Sequence, residues 1–188
     1  RVLRSSQRMG HMIEDLLDVT RIRHAGGLAL QLGRADMQSI VQRTLDEVQT
    51  SFPDRNIESV LQGDMAGVWD SERLCQVATN IVGNAIHHGA PDQPVRVAVD
   101  GTQASVVTVA VSNGGTIAPE LLPHLFDPFR GRDRAPGRHQ GLGLGLFIAH
   151  QVVRAHGGRI DVHSQDGTTR FVVELPRVSP AAEKWSNT

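Results

Sequence analysis

The sequence predicts an α/β fold: a two-layer sandwich in which three helices cover one face of a mixed sheet, preceded by one long helix. Three observations lead there. Short β-rich runs alternate with amphipathic stretches between residues 28 and 177. DSERLCQVATNIVGNAIHHG, Asp70 to Gly89, carries helix punctuation at both ends. HQGLGLGLFIAHQVVRAHGG, His139 to Gly158, sets Gly141, Gly143 and Gly145 immediately before a helical pattern.

In chain order, Arg1 to Arg23 reads as a helix with Met9, Met12, Ile13, Leu16 and Val19 on one side. After an Ala25-Gly26-Gly27 break, LALQLGRAD (28–36) reads as a strand, Met37 to Thr50 as a helix, and Ile57 to Gln62 and Val68 to Asp70 as short strands. Asp70 or Ser71 then caps a helix with Glu72 in its first turn and Gly89 as its stop. Its stripe of Leu74, Val77, Ala78, Ile81 and Ala85 faces a core, which leaves Asn80, Asn84 and His87 on an adjoining face. Asparagine is a poor interior helix residue, so two of them one turn apart need a chemical reason. Val95 to Val99 and Ser105 to Ser112 form a hairpin around Asp100-Gly101, running on into Asn113-Gly114-Gly115. Past the helix after Gly145, Arg159 to His163 and Thr169 to Leu175 are strands, and 178–188 reads as a disordered tail. The expected division is 1–24 for the leading helix, 25–35 for a linker and first strand, 36–177 for the sandwich, and the tail.

Each glycine in a helix costs about 1 kcal/mol relative to alanine, so three alternating glycines at a helix start imply a use for bare backbone. A helix N-terminus presents about four unpaired N–H groups and a partial positive charge, which together attract phosphate. The alternative is a tight loop packed under a sheet. The stretch is neither a dinucleotide fingerprint, since Gly145 comes one residue too early, nor a Walker loop, since the only lysine is Lys184. If a nucleotide binds here, no lysine holds it.

Taken together, Asn80-x-x-x-Asn84, Asn113-Gly114-Gly115, Phe126-Asp-Pro-Phe129, Gly141-x-Gly143-x-Gly145 and Gly167-Thr168-Thr169 resemble, in order, the N, G1, F, G2 and final G-T boxes of the ATP-binding catalytic domain of sensor histidine kinases. That domain has the Bergerat-type fold shared with gyrase-type and Hsp90-type ATPases. The resemblance implies ATP and Mg²⁺ as cofactors, with Mg²⁺ on the amide oxygen of Asn84. It places phosphates along Gly141, Leu142, Gly143, Leu144 and Gly145, under a mobile lid from Arg130 to Gln140 whose arginines, Arg130 among them, offer fork-shaped donors. Gly115 and Thr168 are expected among the ATP-binding positions, and Phe126 and Phe129 pack the lid's hinge. Asn80 and Asn84 are the catalytic positions. Gyrase-like members carry a glutamate where Asn80 stands, and asparagine cannot serve as a general base. Phosphoryl transfer to histidine with very slow hydrolysis is therefore expected.

Two positions depart from the pattern. Asn113 replaces an aspartate that accepts from the adenine amino group. Losing that charge weakens the bond by about 1 kcal/mol, and an amide free to flip relaxes the preference for adenine over guanine. His87 replaces a lysine; anionic oxygens nearby favour its cation, so nucleotide affinity is expected to fall above neutral pH. A solvated helix residue is the alternative for His87.

The leading helix resembles the second helix of a dimerisation and phosphotransfer hairpin, but the acceptor motif of the first helix is missing, and His11 does not fit it. The chain therefore reads as a fragment not expected to autophosphorylate alone, one that dimerises through its N-terminal helix. Its partners are then ATP, a histidine-bearing helix of the same kinase and a response regulator. The other readings are a pseudokinase serving as a nucleotide-sensing or dimerisation module, and a serine kinase acting on anti-sigma partners. A net charge of −1 gives no argument for nucleic acid or a membrane surface, and no apolar run reaches 18 residues. The module is expected in the cytoplasm. Cys75, the single cysteine, is expected in the core.

Overall fold

The computed structural model describes residues 28–129 and 142–179, and in the leading helix residues 10, 13–14, 16–20 and 22. The elements are β1 (Gly33–Asp36), α1 (Met37–Ser51), β2 (Ile57–Gly63), β3 (Ala66–Trp69), α2 (Ser71–His88), β4 (Val95–Gly101), β5 (Val106–Gly114), a 3-10 helix (Pro119–His124), α3 (Gly145–Ala155), β6 (Arg159–Gln165) and β7 (Thr168–Pro176).

The three helices form where side chains both start them and give them one apolar face. Asp36 is extended and accepts the Ser39 N–H at 2.9 Å to cap α1, which buries Met37, Ile40, Val41, Thr44, Leu45 and Val48. Asp70 caps α2 in the same way through the Arg73 N–H at 3.1 Å, and Leu74, Val77, Ile81, Val82, Ala85 and Ile86 are its buried stripe. α3 buries Ile148, Ala149, Val152 and Val153 and is followed by Gly157 at φ +78°.

Five strands lie in the order β2-β4-β5-β7-β6, parallel between β2 and β4 and antiparallel elsewhere. Val95, Val97 and Val99 of β4 and Phe171, Val173 and Leu175 of β7 all point to the buried side, where the helices cover them. Each such side chain contributes about 1.5–3 kcal/mol relative to exposure. This is the predicted sandwich.

The sheet differs from the sequence reading in three details. β1 and β3 leave it to form a separate antiparallel pair, and LALQLGRAD is a strand only over its last four residues, because β3 offers four residues to pair with. The β4–β5 turn lies at residues 102–105 rather than at Asp100-Gly101. Asp100 instead accepts both the N–H and the hydroxyl of Thr102, which holds its carboxyl below the usual range, and a side chain at Gly101 would collide with the Asp64 carbonyl. Cys75 is only partly buried, and its sulfur accepts from Arg43 Nε at 3.1 Å and Nη2 at 2.7 Å.

In the leading helix, Val19 and Asp18 are buried against the sandwich, whereas Ile13, Leu16 and Leu17 are 58%, 44% and 49% exposed. Asp18 Oδ2 takes Arg73 Nη1 at 2.6 Å and Gln76 Nε2 at 3.0 Å, so the contact is made at the first turns of α2. The expected side of Met9, Met12, Ile13, Leu16 and Val19 is thus divided at Val19, with Met9 and Met12 outside the described residues. The tail beyond Ser179 and the Ala25-Gly26-Gly27 break also lie outside them.

Candidate functional site

The second half of α2, the end of β5 and the start of α3 converge on one side of the sandwich. α2 and α3 pack side by side, and the seam explains the third glycine: a Cβ on Gly145 would lie 2.9 Å from Asn80 Oδ1 and 3.1 Å from its Cγ. Asn80 is therefore set directly against the first residue of α3. Its Nδ2 is buried with no hydrogen-bond partner, a state that costs free energy unless something else supplies an acceptor. Asn84 follows one turn on, half-buried.

α3 begins without a side-chain cap, and its first intrahelical bond runs from the Ile148 N–H to the Leu144 carbonyl at 2.9 Å. The N–H groups of Gly145, Leu146 and Phe147 thus have no acceptor within the helix, and the helix dipole makes that end positive. Gly143 needs its glycine for φ +71°; its carbonyl accepts the Phe129 N–H at 3.0 Å, and Phe129 itself sits at φ +64°. Leu144 is buried in the core and Leu142 packs partly against it. Phe126 stacks on His150 of α3 at 5.1 Å; burial and the Arg154 charge hold the His150 pKa below its ordinary value. Arg130, Gly141 and the other arginines of the expected lid lie outside the described residues.

β5 carries Asn113, 6% exposed, to the far side of the same region. Its Nδ2 donates to the Gly114 carbonyl at 2.9 Å, which orients Oδ1 as the atom left for a ligand's donor. This anchoring opposes the amide flip that would relax purine preference. Gly115, at φ +108°, donates its N–H to the Gly167 carbonyl at 2.7 Å, and Thr169 Oγ1 donates to the Gly115 carbonyl at 2.8 Å. Thr168 is exposed, while Thr169 is 3% exposed and pairs in register with Asn113. Thr169, read in sequence as part of the Gly167-Thr168-Thr169 box and as the start of a strand, shares the period-two alternation of Phe171, Val173 and Leu175, which turns it inward.

His87 is exposed; its Nδ1 donates to the Gly83 carbonyl at 2.6 Å, and its ring meets Phe52 of the α1 cap edge-on at 5.3 Å. The ring is thereby engaged with α1 and its own helix. At the opposite end of α2, His156 is wholly buried, its Nδ1 donating to the Val152 carbonyl at 2.9 Å and its Nε2 accepting the Asp70 N–H at 3.0 Å. The bond accepted at Nε2 requires the neutral ring, and burial holds its pKa below the ordinary value.

The donor set suits a triphosphate with Mg²⁺: open N–H groups, a backbone stripped of side chains at Gly143 and Gly145, and one neutral amide oxygen at Asn84. Among the described residues no three His, Cys, Asp or Glu side chains gather as a metal cage. No described helix is long and apolar enough to cross a membrane.

The family model for histidine kinase-, DNA gyrase B- and HSP90-like ATPases matches residues 69–179. A bacteriophytochrome of Pseudomonas aeruginosa is 32% identical over 173 residues, covering 92% of this chain and 24% of that protein. Sensor protein SrrB of Staphylococcus aureus is 31% identical over 180 residues, covering 94% of this chain and 31% of the other. The chain thus spans about a quarter to a third of these relatives. Among solved structures, a mycobacterial sensor histidine kinase, MprB, superposes with a TM-score of 0.67 at 25% identity, over 78% of this chain and 98% of that one.

Proposed function

The chain belongs to the histidine kinase-, DNA gyrase B- and HSP90-like ATPase family and is the ATP-binding catalytic part of a two-component histidine kinase; on that premise we propose that it transfers the γ-phosphoryl group of ATP to a histidine outside these 188 residues. The observation that carries the reading is the meeting of Asn80 with the uncapped start of α3, Asn84 standing one turn further along α2. There, open N–H groups and a positive helix end face a buried amide.

In this reading the N–H groups of Gly145, Leu146 and Phe147 bind the phosphates and hold the reacting group in line with its acceptor. Asn113 Oδ1 accepts the amino group of the base, and Thr169 fixes the Gly115 loop beside it. Mg²⁺, held by Asn84, supplies charge neutralisation across the triphosphate. Asn80 orients but does not abstract a proton, so water is a poor acceptor and an imidazole nitrogen, which already offers a lone pair, is a good one. Ile13, Leu16 and Leu17 give the leading helix an apolar surface for a second copy of the chain, and a response regulator receives the phosphoryl group from the histidine. A cytoplasmic location accords with this chemistry.

The test supplies a histidine-bearing helical hairpin in trans with γ-labelled ATP. Labelled hairpin bearing an acid-labile, base-stable phosphoryl group, with hydrolysis much slower than transfer, is expected; rapid steady-state hydrolysis without transfer would contradict the reading. The engagement of His87 with Phe52 and Gly83 favours one second reading, a pseudokinase that senses nucleotide and transfers little. It predicts binding without labelled hairpin.

A further inference from the structure

Arg55 stands in the turn between α1 and β2, and nothing in the mechanism above uses it. Its backbone is firmly placed: its N–H donates to the Phe52 carbonyl at 3.1 Å, and Gln49 Nε2 donates to the carbonyls of Phe52, Pro53 and Arg55 at 3.3, 3.1 and 3.2 Å. From there the guanidinium crosses to the loop after α2, where Nη1 donates to the Ala90 carbonyl at 3.2 Å. Nε and Nη2 are buried with no hydrogen-bond partner; with Asn80 Nδ2 they are the only such side-chain atoms among the described residues. Unpaired donors on a buried cation destabilise a fold, so stability does not explain this arginine.

What Ala90 touches does explain it. The Ala90 N–H donates to the Gly114 carbonyl at 3.0 Å, and the Gln93 N–H returns to the Ala90 carbonyl at 3.3 Å. A Cβ on Gly89 would lie 3.1 Å from Asn113 Cβ and 3.3 Å from its Nδ2. A side chain on Gly114 would collide with Gln93 Oε1. Residues 89–93 are therefore the wall against which Asn113 and Gly114 are seated, and Ala90 is gripped by Arg55 on one side and by the end of β5 on the other.

We propose that Arg55 is a positioning residue for the base subsite: by holding the Ala90 carbonyl it sets the wall that places Asn113 Oδ1 against the purine. The proposal rests on the nucleotide reading given above, and deepens it by separating base recognition from phosphate binding. Methionine at this position keeps the length and loses every donor, whereas lysine keeps one donor for Ala90.

The experiment titrates the full chain and its Arg55→Met and Arg55→Lys variants with ATP and with tripolyphosphate, both with Mg²⁺, and records their thermal melting. For Arg55→Met, ATP affinity is expected to fall about tenfold while tripolyphosphate affinity and melting temperature hold; Arg55→Lys recovers most of the ATP affinity. Unchanged ATP affinity in Arg55→Met would overturn the proposal. So would a parallel loss of ATP affinity, tripolyphosphate affinity and melting temperature, the mark of a purely structural arginine. Wild-type chain that binds ATP no better than tripolyphosphate would overturn base recognition itself, and this role with it.

Discussion

The two ends of α2 are built on opposite terms. At its start, Asp70 accepts from the N–H groups of Arg73 and Gln31, its own N–H goes to His156, and Asp18 takes both Arg73 and Gln76. Towards its finish, Asn80 keeps a buried amide nitrogen without an acceptor, and Arg55, behind the loop that follows, keeps two more unpaired donors. One helix thus carries a closed polar network that holds the fold and an open one that awaits something. The open end is where the glycines of α3 and the end of β5 arrive.

If that division is right, damage at the closed end should lower stability and spare nucleotide binding, and damage at the open end should do the reverse. The largest effect is expected from His156→Ala, which opens a cavity and strands the Asp70 N–H: about 3–5 kcal/mol of unfolding free energy, read by urea titration, with ATP affinity of the folded protein unchanged. Arg73→Met leaves the Asp18 carboxylate, 3% exposed, with only Gln76. Because Arg73 is itself partly exposed, about 1–3 kcal/mol is expected, seen as faster hydrogen exchange at residues 16–20.

The closed end also responds to pH, with a definite sign. The folded pKa of His156 is lowered, so its contribution to stability is present above the ordinary histidine value of 6.5 and is lost as pH falls from there through the folded pKa. Within that window the slope for one proton approaches about 1.4 kcal/mol per pH unit, and a His156→Gln variant should flatten it in denaturant titrations at stepped pH. The smallest effect belongs to the open end: Asn113→Asp gives up the Nδ2 bond to the Gly114 carbonyl but restores a charged acceptor, and should raise the ATP affinity of the folded protein up to about tenfold. With the Asn113 amide anchored by Gly114, GTP should compete weakly against ATP for the unsubstituted chain; equal competition would show that the amide turns.

Much of this contrast was legible in the sequence, and the part that was not has physical causes. The cap at Asp70 and the stripe of α2 through Leu74, Val77, Ile81 and Ala85 are local patterns, and they appear in place. Asn80, Asn84 and Gly145 stood out because each is a costly choice for a helix, and Asn113 because it departs from the aspartate that the resemblance implies. Strand ends were less legible, since LALQLGRAD alternates well but its pairing is limited by the four residues of β3. Gly101 looked like a turn residue, yet it is bare because the Asp64 carbonyl passes over it. Arg55 gave no signal at all: its meaning lies in Ala90, 35 residues away. In the sequence His156 is simply the residue before Gly157-Gly158; only the packing of Asp70 against it reveals its role.

The central claim is that the open end of α2 and the uncapped start of α3 form one Mg²⁺-dependent nucleotide site. Calorimetric titration of the chain with ATP, with and without Mg²⁺, beside an Asn84→Ala variant tests it most directly. Micromolar to sub-millimolar binding that requires both Mg²⁺ and Asn84 is the predicted result. Absence of binding at millimolar ATP, or binding indifferent to both, would contradict it.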